Sequence, residues 1–385
     1  MKEGILIISV GFRPQIGGLE THLDDLCEYL RRHEYKVFVI TYQPITTKAK
    51  GPKVERDRNL EIHRIQWFGH NWYHWLERYP PLLFLYLFPR LFIASFFLLL
   101  KRHREVSVIH SHGIIPAVIA KIVSRVFQKR CVMSTHTIYS LKERPLLARA
   151  MKWILSSFTV ILPLAQLSKN ELVALGLPKE KIRIYTHWVD LERFRPLGQD
   201  KCKAELGLEA RFVVLFVGRF IEKKGMGVLL ETSKIVPDVT FAFIGDGPLS
   251  GRILQAGRAQ DNVWYFGRVP YNELAKYYCA ADIFAIPSQY EEGFGRVVAE
   301  ALACGTPVLA SNMGSLSQLV TPSVGVTVAP TRENIADVIN DLYQNHKKLT
   351  TLRANCRAYA EEHFSERNAE VIAEAYKVEM KNGNK

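Results

Sequence analysis

An α/β protein made of two domains, each a doubly wound parallel sheet, is the fold class that three observations predict. Short apolar runs suited to buried strands, such as residues 5–10, 107–110 and 212–217, alternate along the chain with amphipathic helical stretches. Glycine-bearing loops at 11–18, 218–225 and 293–295 follow such runs, at the strand ends where helix N-termini gather and ligands bind in open α/β sheets. A length of 385 residues suffices for two sizeable cores.

Composition narrows the class. With 48% hydrophobic and 23% charged residues the chain has an ordinary globular balance. The six cysteines form no Cys-x-x-Cys and no Cys/His cluster at metal spacing, so neither a disulfide framework nor a zinc site is expected, and a reducing cytoplasm fits best. The apolar run 5–10 is too short for a secretory signal and reads as a first buried strand. A net charge of +13 favours acidic partners: nucleic acid, anionic lipid or phosphorylated substrates. The basic residues are spread along the chain and no helix-turn-helix, zinc-finger or RNA-recognition signature is present, so nucleic acid is not expected.

Taken in order, strand 5–10 leads through the Pro/Gly loop 11–18 into a helix over 19–31 with the stripe Leu19, His22, Leu23, Leu26 and Leu30. Gly17 and Gly18 suit a turn at positive φ, and Glu20 and Thr21 complement the helix dipole. Residues 36–41 and 60–66 are strands around a charged, exposed loop at 48–58. From His70 the composition changes: Trp72, Tyr73, Trp75 and Tyr79 precede the apolar run 82–100, which Lys101, Arg102, His103 and Arg104 close. Three readings fit this stretch: a buried helix of the first domain, an interfacial element, or a span. Pro89 and Arg90 at its middle oppose the span.

Strand 107–110, a helix to 127 and strand 130–134 follow, placing His110 and, within Thr135-His136-Thr137, His136 at strand ends. Then come strand 158–164, a helix 168–175 capped by Ser168, strand 181–185 and a polar boundary at 198–203. The second domain reads as strands 212–217, 239–244, 263–266, 282–286 and 307–310, with a helix over 272–280 and helices from 334 to 376. Gly245-Asp246-Gly247-Pro248 stops short of Gly-x-Gly-x-x-Gly, so a nicotinamide dinucleotide is not expected.

One site stands out. Gly293, Phe294 and Gly295 bring a flexible backbone to a helix start, where unpaired N–H groups favour an anion. Glu292 precedes that helix and Glu300 lies about two turns further on, two carboxylates able to hold hydroxyls beside the anion. Arg219 offers a planar fork and Lys224 a point charge at another strand end, a pair suited to pyrophosphate.

These residues carry a resemblance. The strings Pro287-Ser288-Gln289-Tyr290-Glu291-Glu292-Gly293-Phe294-Gly295 and Glu300-Ala301-Leu302-Ala303-Cys304-Gly305-Thr306-Pro307-Val308 resemble the signature of retaining glycosyltransferase family 4. Pro14, Gly17, Gly18 and Glu20 resemble its Pro-x-x-Gly-Gly-x-Glu loop, and Gly218-Arg219 with Lys224-Gly225 its diphosphate grip. The resemblance covers nearly the whole chain and implies the GT-B architecture, two Rossmann-like domains facing a central cleft. Residues 1–190 would form the acceptor domain, with a C-terminal helix in 365–385 packing back on it, and 198–364 the donor domain. It implies that Glu292 contacts donor-sugar hydroxyls, Glu300 the ribose, and the backbone of Gly293, Phe294 and Gly295 the sugar and diphosphate. It also implies that Arg219 and Lys224 grip the diphosphate, that Gly17 and Gly18 close over the donor, and that backbone near 266–269 meets the base. His136 would sit by the reacting carbon, and His110 is structural.

The chain departs from the family pattern at Ser107, at Thr186-His187-Trp188 and at Gly314-Ser315-Leu316-Ser317-Gln318. The implied activity is metal-independent, cofactor-free transfer of a sugar from a UDP- or GDP-type donor, with retention, to a sugar or lipid-linked acceptor. The membrane surface would be met through 67–104, and the protein would be cytoplasmic or peripheral at the inner membrane face. The alternatives are a non-catalytic GT-B partner subunit and a GT-B phosphorylase or epimerase.

Overall fold

Strands apolar on both faces must be covered on both faces, which is what a parallel sheet between helices provides. The computed structural model describes residues 3–15, 17–45, 49–69, 71–136, 139, 141–143 and 145–378. Ile16, Lys48, His70, Thr137 and the residues beyond Val378, all named or spanned by the expectations above, lie outside the described residues. The first sheet comprises β1 (Gly4–Ser9), β2 (Lys36–Tyr42), β3 (Val54–Asp57), β4 (Leu60–Ile65), β5 (Val106–His112), β6 (Arg130–Thr135) and β7 (Val160–Pro163). Its order is β3-β4-β2-β1-β5-β6-β7, parallel except at β3. The second comprises β8 (Val213–Arg219), β9 (Thr240–Asp246), β10 (Val263–Gly267), β11 (Ile283–Ile286), β12 (Val308–Ser311) and β13 (Gly325–Val328). Its order is β10-β9-β8-β11-β12-β13, all parallel.

Both orders reverse direction once, between β1 and β5 and between β8 and β11. Loops leaving adjacent strands there run to opposite sides and open a crevice at the carboxyl ends. Each sheet has its own apolar core. The chain divides into two compact units, residues to Tyr185 together with those from Arg367, and Thr186–Glu366. In the first, the Asn368–Lys377 helix packs on the Gly18–Arg32 helix and on β6.

Several local expectations are corrected. Part of the 48–58 stretch is the edge strand β3, because Arg58 at φ 51° turns the chain so that 54–57 pairs antiparallel with β4. Residues 181–185 form no strand: a single bridge joins Ile182 to Ile161, beyond a 3₁₀ turn at Lys179–Lys181. The polar stretch 198–203 is the start of a helix, Gln199–Leu206, bracketed by Gly198 and Gly207 at positive φ. Ser168 lies inside the Gln166–Ala174 helix, whose cap position is Ala165. An unexpected helix, Pro145–Leu155, buries Met151, Ile154 and Leu155 at helical spacing.

The 80–102 stretch is one helix that continues through Pro89. It buries Leu87, Leu91, Ser95, Leu98 and Leu99 along one stripe, yet only 28% of its most apolar 18-residue window is buried. A core helix in full it is not.

Asp282, just before β11, is the polar anchor of the second unit. Its carboxylate accepts from Val213 N at 2.8 Å, Lys203 Nζ at 2.7 Å and Gln199 Nε2 at 2.8 Å, tying the Gln199–Leu206 helix to the sheet. Asp282→Ala removes the counter-charge of a largely buried ammonium, leaving Lys203 Nζ the Arg211 carbonyl at 2.6 Å, and takes the acceptor from the Val213 amide, so urea unfolding is expected to show a loss of about 3 kcal/mol. A loss below about 1 kcal/mol would mean that Lys203 finds water instead.

Candidate active site

In the second unit Arg219 ends β8, and the Glu222–Lys224 turn follows. Gly225 sits at φ 75°, and a Cβ there would lie 1.8 Å from the Pro287 carbonyl oxygen, so the Lys224 turn is pressed against the segment leaving β11. Gln289 N donates to Lys223 O at 2.7 Å across the same seam. Lys224 Nζ consequently reaches Glu292 Oε1 at 2.6 Å. Ser288 Oγ donates to the same oxygen at 2.6 Å and Tyr290 OH to Oε2 at 2.8 Å, all onto a carboxylate 5% exposed. Burial, and after it the Glu292 charge, push the Tyr290 hydroxyl well above its usual range, and the positive charge of Arg219 pulls it back a little.

Gly295, at φ 74°, caps the Arg296–Ala303 helix. The stretch 314–318, where the chain departs from the family pattern, braces the loop before that helix. Gly314 is at φ 57°, a Cβ on it would fall 2.8 Å from Glu291 Cα, and Ser315 Oγ donates to Glu292 O at 2.8 Å. The Phe294 ring is buried against His187 and Phe364, at centroid distances of 4.9 and 5.7 Å, so what residue 294 gives the loop is backbone.

Glu300 is 3% exposed. Tyr278 OH donates to its Oε2 at 2.9 Å, and Tyr271 OH and Arg296 Nε donate to Oε1 at 3.2 and 3.3 Å. Arg296 also donates to Trp188 O at 3.1 Å and to Tyr271 OH at 2.9 Å. Burial raises the Glu300 carboxyl pKa, and Arg296 pulls it back. Tyr271, Tyr278, Arg296, Ser288 and Tyr290 were not foreseen. Arg296 had a readable signal, since it stands four residues before Glu300 on one helix.

The first unit assembles histidines. β5 extends to His112, so His110 and His112 share a face with ring centroids 4.1 Å apart. His110 is held on both nitrogens, by Tyr376 OH at 2.7 Å and Ser134 Oγ at 2.9 Å, as a structural histidine should be. His136, just past β6, faces His112 with Nε2 to Nδ1 at 2.9 Å, a contact in which one ring donates and the other accepts. Burial lowers the pKa of His136 from 6.5 to about 3. The same cause, with His136 adding to it, lowers His110 to about 3.

Gly17, the cap residue of the Gly18–Arg32 helix, is extended at φ 178°, and Gly18 is absent from the positive-φ glycines, which corrects the turn expectation. A Cβ at Gly17 would lie 2.3 Å from Glu20 Oε2, so the end of the Glu20 side chain would have to shift to admit one. Glu20 is buried and accepts from Gln15 Nε2, so it packs into the loop rather than only complementing the dipole. A Cβ on Gly18 would meet nothing within 4 Å.

The buried histidines make stability acid-sensitive. The folded His136 stays neutral down to about 3, whereas the unfolded side chain takes a proton near 6.5, so the unfolded state binds more protons between these values. Stability is expected to fall as pH falls through that window, by about 1.4 kcal/mol per pH unit for each such histidine. Urea titrations between about pH 7 and pH 5 should show a shallower dependence in His136→Asn. An unchanged slope would contradict the burial argument.

Comparison with known proteins identifies the family. Residues 16–193 match the family Glycosyltransferase Family 4 and residues 199–363 match Glycosyl transferases group 1. A D-inositol 3-phosphate glycosyltransferase of Catenulispora acidiphila is 32% identical over 298 residues, 68% of this chain and 70% of the relative. The amylovoran biosynthesis glycosyltransferase AmsK of Erwinia amylovora is 29% identical over 221 residues, 54% of this chain and 53% of AmsK. Among solved structures, a sucrose-phosphate synthase from Thermosynechococcus elongatus superposes with a TM-score of 0.81 at 22% identity, over 98% of each chain. Anabaena HepE, solved with UDP-glucose, gives a TM-score of 0.76 at 20% identity, over 98% of this chain and 100% of HepE. At such identities the structural likeness speaks to the fold. The chain belongs to glycosyltransferase family 4: it is a GT-B glycosyltransferase of two parallel-sheet α/β domains.

Proposed function

We propose that this glycosyltransferase moves a sugar from a nucleoside-diphosphate sugar to a hydroxyl of a sugar or lipid-linked acceptor at a membrane surface, with retention and without a metal. Residues 198–364 serve the donor and residues 1–190 the acceptor, with the C-terminal 365–385 segment counted with the acceptor domain. The observation that carries the reading is the pair of buried carboxylates, Glu292 and Glu300, on either side of the Gly293–Gly295 turn. Each takes hydrogen bonds from three side chains, Glu292 from Lys224, Ser288 and Tyr290, Glu300 from Tyr278, Tyr271 and Arg296. A carboxylate has about four acceptor positions, so a ligand hydroxyl can still be received while the geometry stays fixed.

Glu292 then orients the sugar and Glu300 the ribose. As the bond to the diphosphate breaks, negative charge grows on the leaving phosphate and positive charge on the anomeric carbon. Arg219, Lys224 and the amides at the start of the Arg296–Ala303 helix stabilise the former without a metal. Lys224 is neutralised by Glu292 at 2.6 Å, so it turns part of its charge to the phosphate only when donor arrives. By family resemblance His136 sits near the reacting carbon, where its neutral ring exchanges a hydrogen bond with a sugar hydroxyl. The acceptor attacks from the face the phosphate leaves, and the phosphate takes its proton. A uridine nucleotide is the first donor to test, since HepE was solved with UDP-glucose.

UDP-sugars and GDP-sugars should be screened by thermal stabilisation, which reports binding to the folded state. One nucleotide is expected to raise the Tm, and Arg219→Ala to weaken its binding by about 1.5–3 kcal/mol, the worth of hydrogen bonds to a charged group. No stabilisation by any of them would favour a non-catalytic subunit.

With donor and acceptor supplied, NMR of the first-formed product should show the donor's anomeric configuration, at a rate unaffected by a chelator. An inverted product, or loss of turnover with chelator, would overturn the mechanism.

A further inference from the structure

We infer that the outward stripe of the Pro80–Arg102 helix is an in-plane membrane anchor whose partner is an anionic lipid surface. The inference deepens the membrane-surface acceptor reading above and rests on it for its purpose. Leu82, Leu85, Pro89, Ile93, Phe97 and Leu100 succeed one another at intervals of three or four residues, one line along a helix. All are exposed, Leu85 by 65%. The opposite stripe, Leu87, Leu91, Ser95, Leu98 and Leu99, is sunk into the first unit. Between the two run the phenylalanines at 84, 88, 92 and 96, stacked or tilted on one another at 5.0, 5.5 and 6.1 Å. A helix on the surface of a protein in water carries polar residues on its outer face; this one is apolar there but for Arg90 and its basic C-terminal end.

Charge selects the occupant. From Arg78 to Arg104 there is no Asp or Glu, the exposed Glu77 and the ion-paired Glu105 bounding the run, while Arg78, Arg90, Lys101, Arg102 and Arg104 are all basic. Arg102 is engaged by Glu105 at 2.9 Å and Glu61 at 3.4 Å, and the exposed Lys101 and Arg104 flank it. Such a mixture of exposed apolar groups with cations and no acid complements an anionic lipid headgroup layer. Just before the helix the exposed Trp72, Trp75 and Tyr79 are the residue types that settle at headgroup level.

The helix lies along the membrane rather than across it. Tyr42 OH donates to Leu87 O at 2.6 Å and Arg90 Nη1 to Gln66 O at 2.7 Å, holding its middle to the domain, and the buried stripe continues that contact to Leu99. Pro89 has no N–H to give the Leu85 carbonyl, which water can satisfy at the interface and hydrocarbon cannot.

Co-sedimentation of the full chain with vesicles tests this without donor or acceptor, so its failure leaves sugar transfer standing. Binding to phosphatidylcholine mixed with phosphatidylglycerol is expected, and weaker binding to phosphatidylcholine alone. The Lys101→Glu/Arg104→Glu variant should bind the mixed vesicles at least ~10-fold less tightly. Ile93→Glu/Phe97→Glu, at exposed positions, should lose binding with its Tm unchanged. All six native cysteines are buried, so a polarity-sensitive dye on Ile93→Cys labels one site. Its emission should shift to the blue on mixed vesicles, with quenching by shallow rather than mid-bilayer spin labels. No vesicle binding, binding untouched by either variant, or a dye quenched at mid-bilayer depth would overturn the inference. So would a dimer that Ile93→Glu/Phe97→Glu dissociates, if the parent ignores vesicles.

Discussion

Two carboxylates buried at one strand end are expensive unless each is surrounded by donors, and that constraint organises the second unit of this protein. Glu292 needs Lys224, which sits within reach because Gly225 lets its turn press on the Pro287 carbonyl. It needs the Glu291–Glu292 backbone fixed, which Ser315 does and which Gly314 permits by leaving out a Cβ. Glu300 needs Tyr271, Tyr278 and Arg296, and Arg296 in turn reaches the Trp188 carbonyl. Glycine positions, hydroxyls and one buried guanidinium thus follow from where two negative charges are kept. The strand order β9-β8-β11-β12 puts the loops that supply them next to each other.

Much of this was legible in the sequence, for a physical reason. Buried parallel strands are continuous apolar runs, so most strands of both sheets were placed within a residue or two. The site string was readable because glycines, carboxylates and basic residues occur there together and close in sequence. What escaped reading depended on distance in the chain. Tyr271 and Tyr278 look like ordinary helix residues until the fold brings them to Glu300, and nothing local marks Tyr376 as the partner of His110. β3 was hidden because an edge strand exposed to water is polar, and a polar stretch reads as a loop. The Gln199–Leu206 helix was hidden likewise, since what holds it is Asp282, far along the chain.

The first unit spends its buried polarity differently. At the ends of β5 and β6 it gathers imidazoles, His110 and His136 kept neutral by burial, with the buried Glu20 packed into the loop leaving β1, where the second unit gathers two carboxylates. Under the proposed function the neutral rings would meet uncharged hydroxyls and the fixed charges a diphosphate. The same unit carries the apolar Pro80–Arg102 helix, which composition alone left between core and surface. Only the fold could separate its two stripes, because the helix is apolar on both.

Equilibrium binding of a nucleoside diphosphate and of its sugar conjugate, compared between the parent, Glu292→Gln and Glu300→Gln, tests the division of labour between the two carboxylates most directly. Glu300→Gln should weaken both ligands alike, since both carry the ribose. Glu292→Gln should weaken only the sugar conjugate, with the diphosphate bound as well as before or better once Lys224 loses its counter-charge. Equal losses for both ligands in both variants, or no loss in either, would contradict it.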